Sequence, residues 1–413
     1  MSYYTTNSTY GSFYNQYQNQ KKKYYESLNN FKEKQQQYYD NKTPNKNEFS
    51  HKTDYFEGKT NRQDEHMYGS DEKELPLKNY IVPSLTGLQN LGNTCYINTC
   101  LQNLIHCESF IFKFLDTFKG YNNATPISNT FYDLLTQISI NNKFEKKDFL
   151  SPTDFVNIFR GLHKNFEGFQ EHDTQEFCRY LLQDLNSELN EIKDPSSYKA
   201  ELPRNKDKQE SLEIYKKDCL SKEKSLIQDI FIGYFSFEYL CDCGYKEYTF
   251  SQFLDLPIQM DSNVQGYDLY QMLRHNFYKK SYVDMGENCS FCKRTSKKYE
   301  IMKIASLPSI LIISLQRINP VSGLKNEAKV KFYEGLDLRE MIDTETLKSG
   351  YTKYDLFAVS NHIGNINTGH YYSNIKIGNI WYCFEDSKVY KIGAQIDMNT
   401  KEVYTLFYKK VDH

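Results

Sequence analysis

Residues 87–98 read GLQNLGNTCYIN, and the cysteine in this segment decides which other functional groups the rest of the chain is expected to supply. Apolar residues recur at helical spacing behind Asn93 and Thr94, which predicts a helix that begins at or beside Cys95. A thiol at a helix N-terminus faces unpaired N–H groups and the positive end of the helix dipole. We therefore predict a lowered pKa and a reactive thiol for Cys95; the alternative is a structural cysteine.

Other residues of the same segment suit chemistry at a carbonyl group. Gly92 lets the backbone pass close to a substrate, because glycine carries no side chain. Asn90 or Asn93 can donate a side-chain N–H to an oxyanion that develops on the substrate carbonyl. The segment is therefore typical of a cysteine nucleophile with an oxyanion site beside it.

A cysteine nucleophile also needs a general base, which distant sequence usually supplies. Residues 369–373 read GHYYS and residues 381–386 read WYCFED, a pattern that predicts strand, turn and strand. Two adjacent strands would bring a carboxylate of the second segment beside His370 of the first. The alternative is that His370 is a packed strand residue without a chemical role.

Composition argues against several classes of protein. The 413 residues carry 51 Lys plus Arg against 53 Asp plus Glu, a net charge of −2, so no basic surplus indicates binding to nucleic acid or an anionic membrane. A membrane span needs roughly 18 consecutive apolar residues, which the sequence lacks, and its start has no signal-peptide pattern. Ten cysteines without dense regular spacing suit a reducing compartment. We expect a cytoplasmic or nuclear protein.

The chain divides into a polar tail and a domain. Residues 1–82 are rich in Tyr, Asn, Gln and Lys, and they contain too little aliphatic surface to offset chain entropy. We predict that this tail is disordered. Apolar periodicity begins near Val82 and defines a domain at residues 83–413.

Helices are predicted in the first part of this domain and strands in the second, which indicates an α+β fold. Apolar residues repeat every four positions from Phe177 behind Asp173, and Glu176 completes a capping box, so a second buried helix is predicted there. The charged stretch from about residue 193 to 224 is predicted as a loop. Strands are predicted at residues 230–239, 247–258, 299–314, 354–360, 370–377, 380–385 and 403–409.

Three of these motifs, taken together, resemble a known enzyme family. Residues 87–98 resemble the Cys box of the ubiquitin-specific proteases, residues 354–386 with 404–408 resemble their His box, and residues 170–182 resemble their Gln-Asp-x-x-Glu-Phe helix. The form EHDTQEFCR at residues 171–179 is most similar to the branch that includes the herpesvirus-associated ubiquitin-specific protease. The resemblance implies a deubiquitinase, a cysteine-type hydrolase of the (iso)peptide bond after the C-terminal glycine of ubiquitin.

The family's architecture and catalytic roles are carried over as expectations. The resemblance implies a papain-like fold with a helical thumb, a palm made of an antiparallel sheet, and β-stranded fingers at about residues 230–310. It assigns Cys95 as the nucleophile, His370 as the base and Asn90 as the oxyanion donor.

One position departs from the family's pattern. The family usually has Asn or Asp directly after the Phe of its Trp-x-x-Phe motif, whereas this chain has Glu385 followed by Asp386. Glu is one methylene longer than Asp, so it would need a shifted backbone to orient His370. We predict that Asp386 orients the imidazole, with Glu385 as the alternative.

A narrow, acidic channel is expected for the tail of ubiquitin, which ends in two glycines after basic residues. The resemblance puts Asp173, Gln175 and Glu176 against this tail, and Gly369 and Tyr371, on either side of His370, are further predicted substrate-binding residues. The alternative for Asp173 and Glu176 is a plain capping box, and both interpretations can hold at once. Residues 361–368 resemble the family's mobile blocking loop.

Two cysteine pairs fall where many members of the family carry a zinc ribbon at the fingertips. They are Cys241 with Cys243 and Cys289 with Cys292, and four thiolates suit Zn²⁺ in a closed structural site. The second pair has the ideal C-x-x-C spacing, whereas the C-x-C spacing of the first pair puts both side chains on one face of a strand. We expect a structural zinc, and no cofactor for catalysis.

Two other functions stay open at this level. The departure at Glu385 allows a catalytically impaired scaffold that binds ubiquitin, and the Cys and His motifs alone also fit a general papain-like peptidase. For the deubiquitinase, the expected partners are ubiquitin and ubiquitinated proteins, and we expect a monomer that binds neither nucleic acid nor membrane.

Overall fold

The computed structural model describes residues 84–411 with several gaps. Within this span the residues not described are 119, 121–123, 195–206, 261–265, 278–279, 284–288, 290, 295–297, 319–323, 347–350 and 366–367. The predicted tail at residues 1–82 lies outside the described residues, and so does part of the predicted blocking loop.

Eight α-helices occur among the described residues, most of them in the first half of the domain. They are α1 (Cys95–Ile105), α2 (Glu108–Thr117), α3 (Pro126–Ile140), α4 (Thr153–Leu162), α5 (Thr174–Glu188), α6 (Lys208–Leu220), α7 (Leu226–Phe231) and α8 (Leu269–Phe277). Within the described ranges, no helix is both long and apolar enough to cross a membrane.

The strands follow mainly in the second half. They are β1 (Gly87–Leu88), β2 (Phe149–Leu150), β3 (Gly233–Cys241), β4 (Lys246–Phe253), β5 (Leu256–Gln259), β6 (Gly266–Asp268), β7 (Lys280–Val283), β8 (Lys298–Ser306), β9 (Ile310–Gln316), β10 (Lys329–Lys331), β11 (Gly335–Asp337), β12 (Lys353–Gly364), β13 (Gly369–Ile377), β14 (Ile380–Glu385), β15 (Lys388–Gly393), β16 (Asn399–Thr400) and β17 (Val403–Lys410).

The largest sheet carries the predicted base. Its strand order is β15-β14-β13-β12-β17-β9-β5, with β11 also paired to β12. All its pairs are antiparallel except β5 with β9. His370 is the second residue of β13 and pairs with Ile363 of β12, at the end of the sheet where these two strands are joined. This sheet corresponds to the expected palm.

Helix α1 packs between this sheet and the other helices of the first half. All eleven of its residues are buried, because the helix is enclosed on every side. On the sheet side, Ser373 of β13 donates a hydrogen bond to the carbonyl of Thr99 at 3.1 Å, and Asn103 donates to Ser360 of β12 at 2.8 Å. On the helical side, one apolar core includes Phe110 of α2 and Phe177 of α5. The N-terminus of α1 is thereby fixed against the palm.

A second sheet extends from the domain as the expected fingers. Its strand order is β4-β3-β8-β7, and all three pairs are antiparallel. The first cysteine pair lies at the end of β3 and in the turn after it, and the second pair lies between β7 and β8. The helices, the palm sheet and this sheet together confirm the predicted α+β class.

Most predicted elements are confirmed, but four predictions are wrong in part. The strands predicted at residues 247–258 and 299–314 are each two strands, β4 with β5 and β8 with β9, because the chain passes there between the fingers sheet and the palm sheet. The charged stretch at residues 193–224, predicted as a loop, contains α6, whose N-cap Asp207 accepts a hydrogen bond from the Glu210 amide. Lys208, the first residue of α6, lies buried within ion-pair distance of Asp343, so a charged residue there faces the protein and not the solvent. The strand predicted from Ile230 starts at Gly233, because Ile230 belongs to α7.

Candidate active site

Cys95 is the first residue of α1, as the sequence predicts, and its side chain is buried. Burial is the largest influence on the thiol and raises its pKa to about 11; a hydrogen bond with the Tyr371 backbone lowers it, and the Asp386 and Glu171 carboxylates raise it. The predicted lowering of the Cys95 pKa is therefore wrong for this structure, because burial disfavours the charged thiolate more than the nearby backbone hydrogen bonds favour it. The thiol needs a base that removes its proton.

The loop before Cys95 is held together by Asn90. The Asn90 side-chain oxygen accepts hydrogen bonds from the backbone amides of Gly92 at 2.9 Å and Thr94 at 3.2 Å. Gly92 has a φ of 96°, and a Cβ there would lie 2.7 Å from the ring of Phe169. The loop therefore requires glycine at this position, and it directs the Asn90 side-chain N–H₂ toward the palm.

Asp386 accepts a hydrogen bond from that amide group. Its carboxylate accepts hydrogen bonds from Asn90 Nδ2 and from Asn98 Nδ2, each at 2.8 Å, and its carbonyl accepts one from the Leu88 amide at 2.8 Å. Asp386 has a φ of 51° in the turn after β14, so its side chain does not follow the alternation of side chains between the two faces of that strand. Asp386 thus joins the end of β14 to the loop and helix that carry Cys95, a role that the sequence analysis did not foresee.

Glu385 is the carboxylate that lies beside the imidazole. Its Oε1 is 3.4 Å from His370 Nε2, an ion-pair distance, and the two side chains are 43% and 33% exposed. Its other oxygen, Oε2, accepts a hydrogen bond of 3.1 Å from the hydroxyl of Tyr390. The structure therefore brings together His370 and Glu385, the alternative partner, whereas the predicted partner Asp386 faces Asn90 and Asn98.

The residues predicted to hold a substrate tail form contacts between α5 and the palm. Asp173 caps α5 by accepting from the amides of Gln175 at 2.7 Å and Glu176 at 3.2 Å, and it also accepts from the hydroxyl of Tyr404. Gln175 donates to the buried Asp255 at 2.8 Å. Burial raises the pKa of both Asp173 and Glu176. Asp173 is therefore the N-cap of α5, which is the half of the predicted capping box that these contacts show.

Tyr371 is a buried residue that contacts Cys95 through its backbone. It is 6% exposed, and its ring is in edge contact with that of Tyr404, with centroids 5.5 Å apart. Burial raises its pKa well above the usual value. Because the Tyr371 backbone hydrogen-bonds the Cys95 thiol, the start of β13, with His370 directly before Tyr371, reaches the nucleophile.

Glu171 is a contact that sequence reasoning missed. Its carboxylate accepts a 2.7 Å hydrogen bond from the backbone amide of Gly369, the residue before His370. A Cβ at Gly369 would lie 2.1 Å from His362 Nε2, so this position requires glycine. Glu171 thus links the segment before α5 to the start of β13. The only sequence signal for Glu171 was its place in the acidic motif before α5, and the sequence analysis assigned the substrate-binding role in that motif to Asp173.

The four cysteines of the fingers come together. Their Sγ atoms all lie within 4.8 Å of one another, with Cys241 to Cys292 and Cys243 to Cys289 each at 3.9 Å. Thiolates about 2.3 Å from a tetrahedral Zn²⁺ would be about 3.8 Å apart, so the donor set fits this ion.

Both pairs also make the same backbone contact. The amides of Cys243 and Cys292 each lie 3.5 Å from the sulfur of the first cysteine of their own pair. The expectation that the C-x-C pair shares a strand face is wrong, because Cys241 ends β3 and Cys243 lies in the turn before Gly244, which has a φ of 85°.

Comparisons with known proteins agree with this geometry. The family model described as ubiquitin carboxyl-terminal hydrolase matches residues 86–408. Ubiquitin carboxyl-terminal hydrolase 2 of Bos taurus is 31% identical over 342 residues, covering 79% of this chain and 55% of the relative. Ubiquitin carboxyl-terminal hydrolase 21 of Homo sapiens is 26% identical over 350 residues, covering 78% of this chain and 61% of the relative. The chain thus spans little more than half the length of these relatives.

A solved structure shows the same fold. The SAGA Ubp8/Sgf11/Sus1/Sgf73 DUB module bound to ubiquitin aldehyde matches with a TM-score of 0.61 and 23% identity, covering 79% of this chain and 70% of that chain. The match of the family model over most of the chain is decisive for its classification. The chain belongs to the ubiquitin carboxyl-terminal hydrolase family.

Proposed function

We propose that this chain is a thiol-dependent deubiquitinase that hydrolyses the (iso)peptide bond after the C-terminal glycine of ubiquitin. One observation carries the proposal. Asp386, in the turn after β14, binds Asn90 and Asn98, which lie on either side of Cys95 in the sequence, and the Tyr371 backbone hydrogen-bonds the thiol. Membership of the family supports the same reaction, and so does the solved neighbour's complex with ubiquitin aldehyde.

The proposed reaction begins with the base. Because Nε2 of His370 faces Glu385, Nδ1 is the ring nitrogen that takes the proton from the Cys95 thiol. The thiolate then attacks the carbonyl carbon of the last glycine, and the negative charge moves to the carbonyl oxygen. Since burial disfavours a free Cys95 thiolate, proton transfer to His370 and attack on the substrate are closely coupled.

The second half of the reaction releases both products. The Asn90 amide, oriented by Asp386, donates to the oxyanion together with backbone N–H groups at the start of α1. His370 returns its proton to the amine as the C–N bond breaks, which leaves a thioester on Cys95. His370 then deprotonates a water that attacks the thioester, and the Cys95 sulfur leaves and regains a proton.

The two carboxylates have separate roles in this proposal. Glu385 orients the imidazole, because its Oε1 is 3.4 Å from Nε2. Asp386 orients Asn90 and fixes the loop before the nucleophile, because both of its oxygens accept amide hydrogens from that region. This assignment reverses the preference that sequence alone favoured.

The substrate tail is proposed to pass between α5 and the start of β13. The hydrogen bond between Glu171 and the Gly369 amide is proposed to bound this path on one side, and Glu176 is proposed to supply negative charge for basic residues of the tail. The wall of this channel is proposed to be held by contacts with the palm. Asp173 and Tyr371 both contact Tyr404, and Gln175 donates a hydrogen bond to Asp255. The predicted blocking loop at residues 361–368 is wrong in its first half, because residues 361–364 belong to β12, and the blocking role is proposed only for residues 365–368.

Several broader assignments extend the proposal. Ubiquitinated proteins are the proposed partners of a monomeric enzyme, in the cytoplasm or nucleus, that binds neither nucleic acid nor membrane. The division into a tail at 1–82 and a catalytic domain at 83–413 is part of it. The similarity of residues 171–179 to the herpesvirus-associated branch is kept as a proposal on that motif alone.

We further propose that Cys241, Cys243, Cys289 and Cys292 hold a structural zinc ion. The sulfur spacing of 3.9 Å and the two backbone amides near sulfur support it, because such contacts stabilise thiolates. Zinc would fix the turn after β3 to the segment before β8 and would take no part in the reaction.

Metal analysis of the purified protein should find about one zinc per chain, and chelation should lower the melting temperature, because a closed thiolate site contributes to folding. Cys289→Ser should lower the melting temperature and the zinc content together. Cys219→Ser, which removes a thiol of α6 outside the cluster, should retain the zinc. Metal-free protein whose stability is unchanged by Cys289→Ser would refute the zinc site.

The function is tested with ubiquitin that carries a fluorogenic amide on its C-terminal glycine. We expect release of the fluorophore and no cleavage of casein. A scaffold would bind the ubiquitin without releasing the fluorophore, and a general peptidase would cut casein and be indifferent to ubiquitin. Either of these results would refute the proposal.

A further inference from the structure

The carboxylate of Glu385 makes two contacts, one of which the proposed reaction does not use. Oε1 faces His370 Nε2 at 3.4 Å, and Oε2 accepts a hydrogen bond from the Tyr390 hydroxyl at 3.1 Å. The carboxylate therefore bridges an imidazole and a phenol, with one oxygen for each.

The fold explains how Tyr390 reaches this carboxylate. Strands β14 and β15 pair Glu385 with Lys388 and Cys383 with Tyr390, so Glu385 and Tyr390 share one face of the hairpin on a diagonal. Diagonal neighbours in a sheet lie about 7–8 Å apart at their Cα atoms, within the reach of a tyrosine ring. The short turn from Asp386 to Ser387 fixes this register.

Glu385 needs such a partner more than a shorter residue would. Its side chain has one more rotatable bond than Asp, and it is 43% exposed, so water competes for the carboxylate and several rotamers are accessible. A tyrosine ring has only two side-chain torsions and is held by its strand, so its hydroxyl can select one carboxylate rotamer. The Tyr390 hydroxyl is the donor in this contact, because a carboxylate oxygen can only accept.

We propose that Tyr390 is a positioning residue for the catalytic base, which holds the longer Glu385 in the rotamer that faces His370. The inference rests on the proposed function, because it deepens the role given there to Glu385. Tyr390 acts through Glu385 and does not touch the substrate. This hairpin thereby compensates for the glutamate at a position where a shorter side chain would orient the imidazole unaided.

The test compares Tyr390→Phe with Tyr382→Phe. Tyr382 lies on β14 of the same hairpin and packs against the core, so its variant loses the same hydroxyl group without touching Glu385. We expect Tyr390→Phe to lower kcat by about 3- to 10-fold, the factor for one hydrogen bond, with KM for the ubiquitin amide within about twofold. Tyr382→Phe should keep the wild-type kcat.

A double-mutant cycle with Glu385→Ala separates positioning from a general structural effect. In the Glu385→Ala background, Tyr390→Phe should have no further effect on kcat, because its only route to the base has been removed. A wild-type kcat for Tyr390→Phe, a loss confined to KM, or the same loss in both backgrounds would overturn the inference.

A second readout does not depend on ubiquitin. The alkylation rate of Cys95 by iodoacetamide, followed by mass spectrometry, reports how well His370 removes the thiol proton. Tyr390→Phe should slow it by the same factor of about 3 to 10, since the same hydrogen bond is lost. If this slowing occurs but wild-type protein releases no fluorophore, the inference stands and the proposed function fails. If wild-type protein is active and both Tyr390→Phe rates are unchanged, the inference alone fails.

Discussion

Replacing Cys95 by alanine is expected to lower hydrolysis of the ubiquitin amide by at least roughly 10⁴-fold, because no other group can form the thioester intermediate. Binding of ubiquitin should be preserved, since the substrate channel between α5 and β13 is formed by other residues. The measurement pairs single-turnover kinetics with a binding assay on the same preparation.

The matched control for this variant is Cys219→Ala, which removes a cysteine side chain of α6 outside the proposed site. It should keep full activity. Hydrolysis by Cys95→Ala within about tenfold of wild type would contradict the nucleophile assignment, since loss of a nucleophile ordinarily costs several decades.

Asp386→Ala is expected to lower kcat by about 10²- to 10³-fold, the effect of losing one oxyanion donor, because the Asn90 amide is no longer held in place. Asn90→Ala should cost the same, and the double variant should cost little more than either single variant. Glu385→Ala should cost less, about tenfold, since its exposed carboxylate makes only a 3.4 Å contact with the imidazole.

Each of these variants needs a melting curve, because Asp386 also joins β14 to Asn98 and to the Leu88 backbone, and its loss can destabilise the fold. A kcat for Asp386→Ala within about threefold of wild type would refute the positioning of Asn90. A larger loss for Glu385→Ala than for Asp386→Ala would mean that orientation of the imidazole dominates instead.

The sequence was sufficient for the elements whose pattern is local. Helix α1 begins at Cys95 as apolar spacing predicts, although Thr94 makes no side-chain capping hydrogen bond, and α5 is capped by Asp173, because both signals are properties of neighbouring residues. The strand that carries His370 was also predicted. Helix α6 was missed because its charged residues include Lys208, whose buried partner Asp343 is distant in sequence.

The roles of the two carboxylates could not be predicted for the same reason. Asn90 and Asp386 are 296 residues apart, and their contact depends on a φ of 51° at Asp386, which sequence does not reveal. The contact of Glu171 with Gly369 spans 198 residues. The raised pKa of Cys95 follows from the depth at which α1 is buried, which depends on how the helices pack on the palm sheet.

The central claim is that Cys95 attacks the carbonyl at the end of ubiquitin. The most direct measurement is the reaction of the full chain with ubiquitin whose C-terminus carries an electrophile, followed by peptide mass spectrometry. We predict one ubiquitin per chain, attached at Cys95, and no adduct with Cys95→Ala. An adduct that persists in Cys95→Ala, or wild-type protein that binds this ubiquitin without forming a bond, would contradict the account.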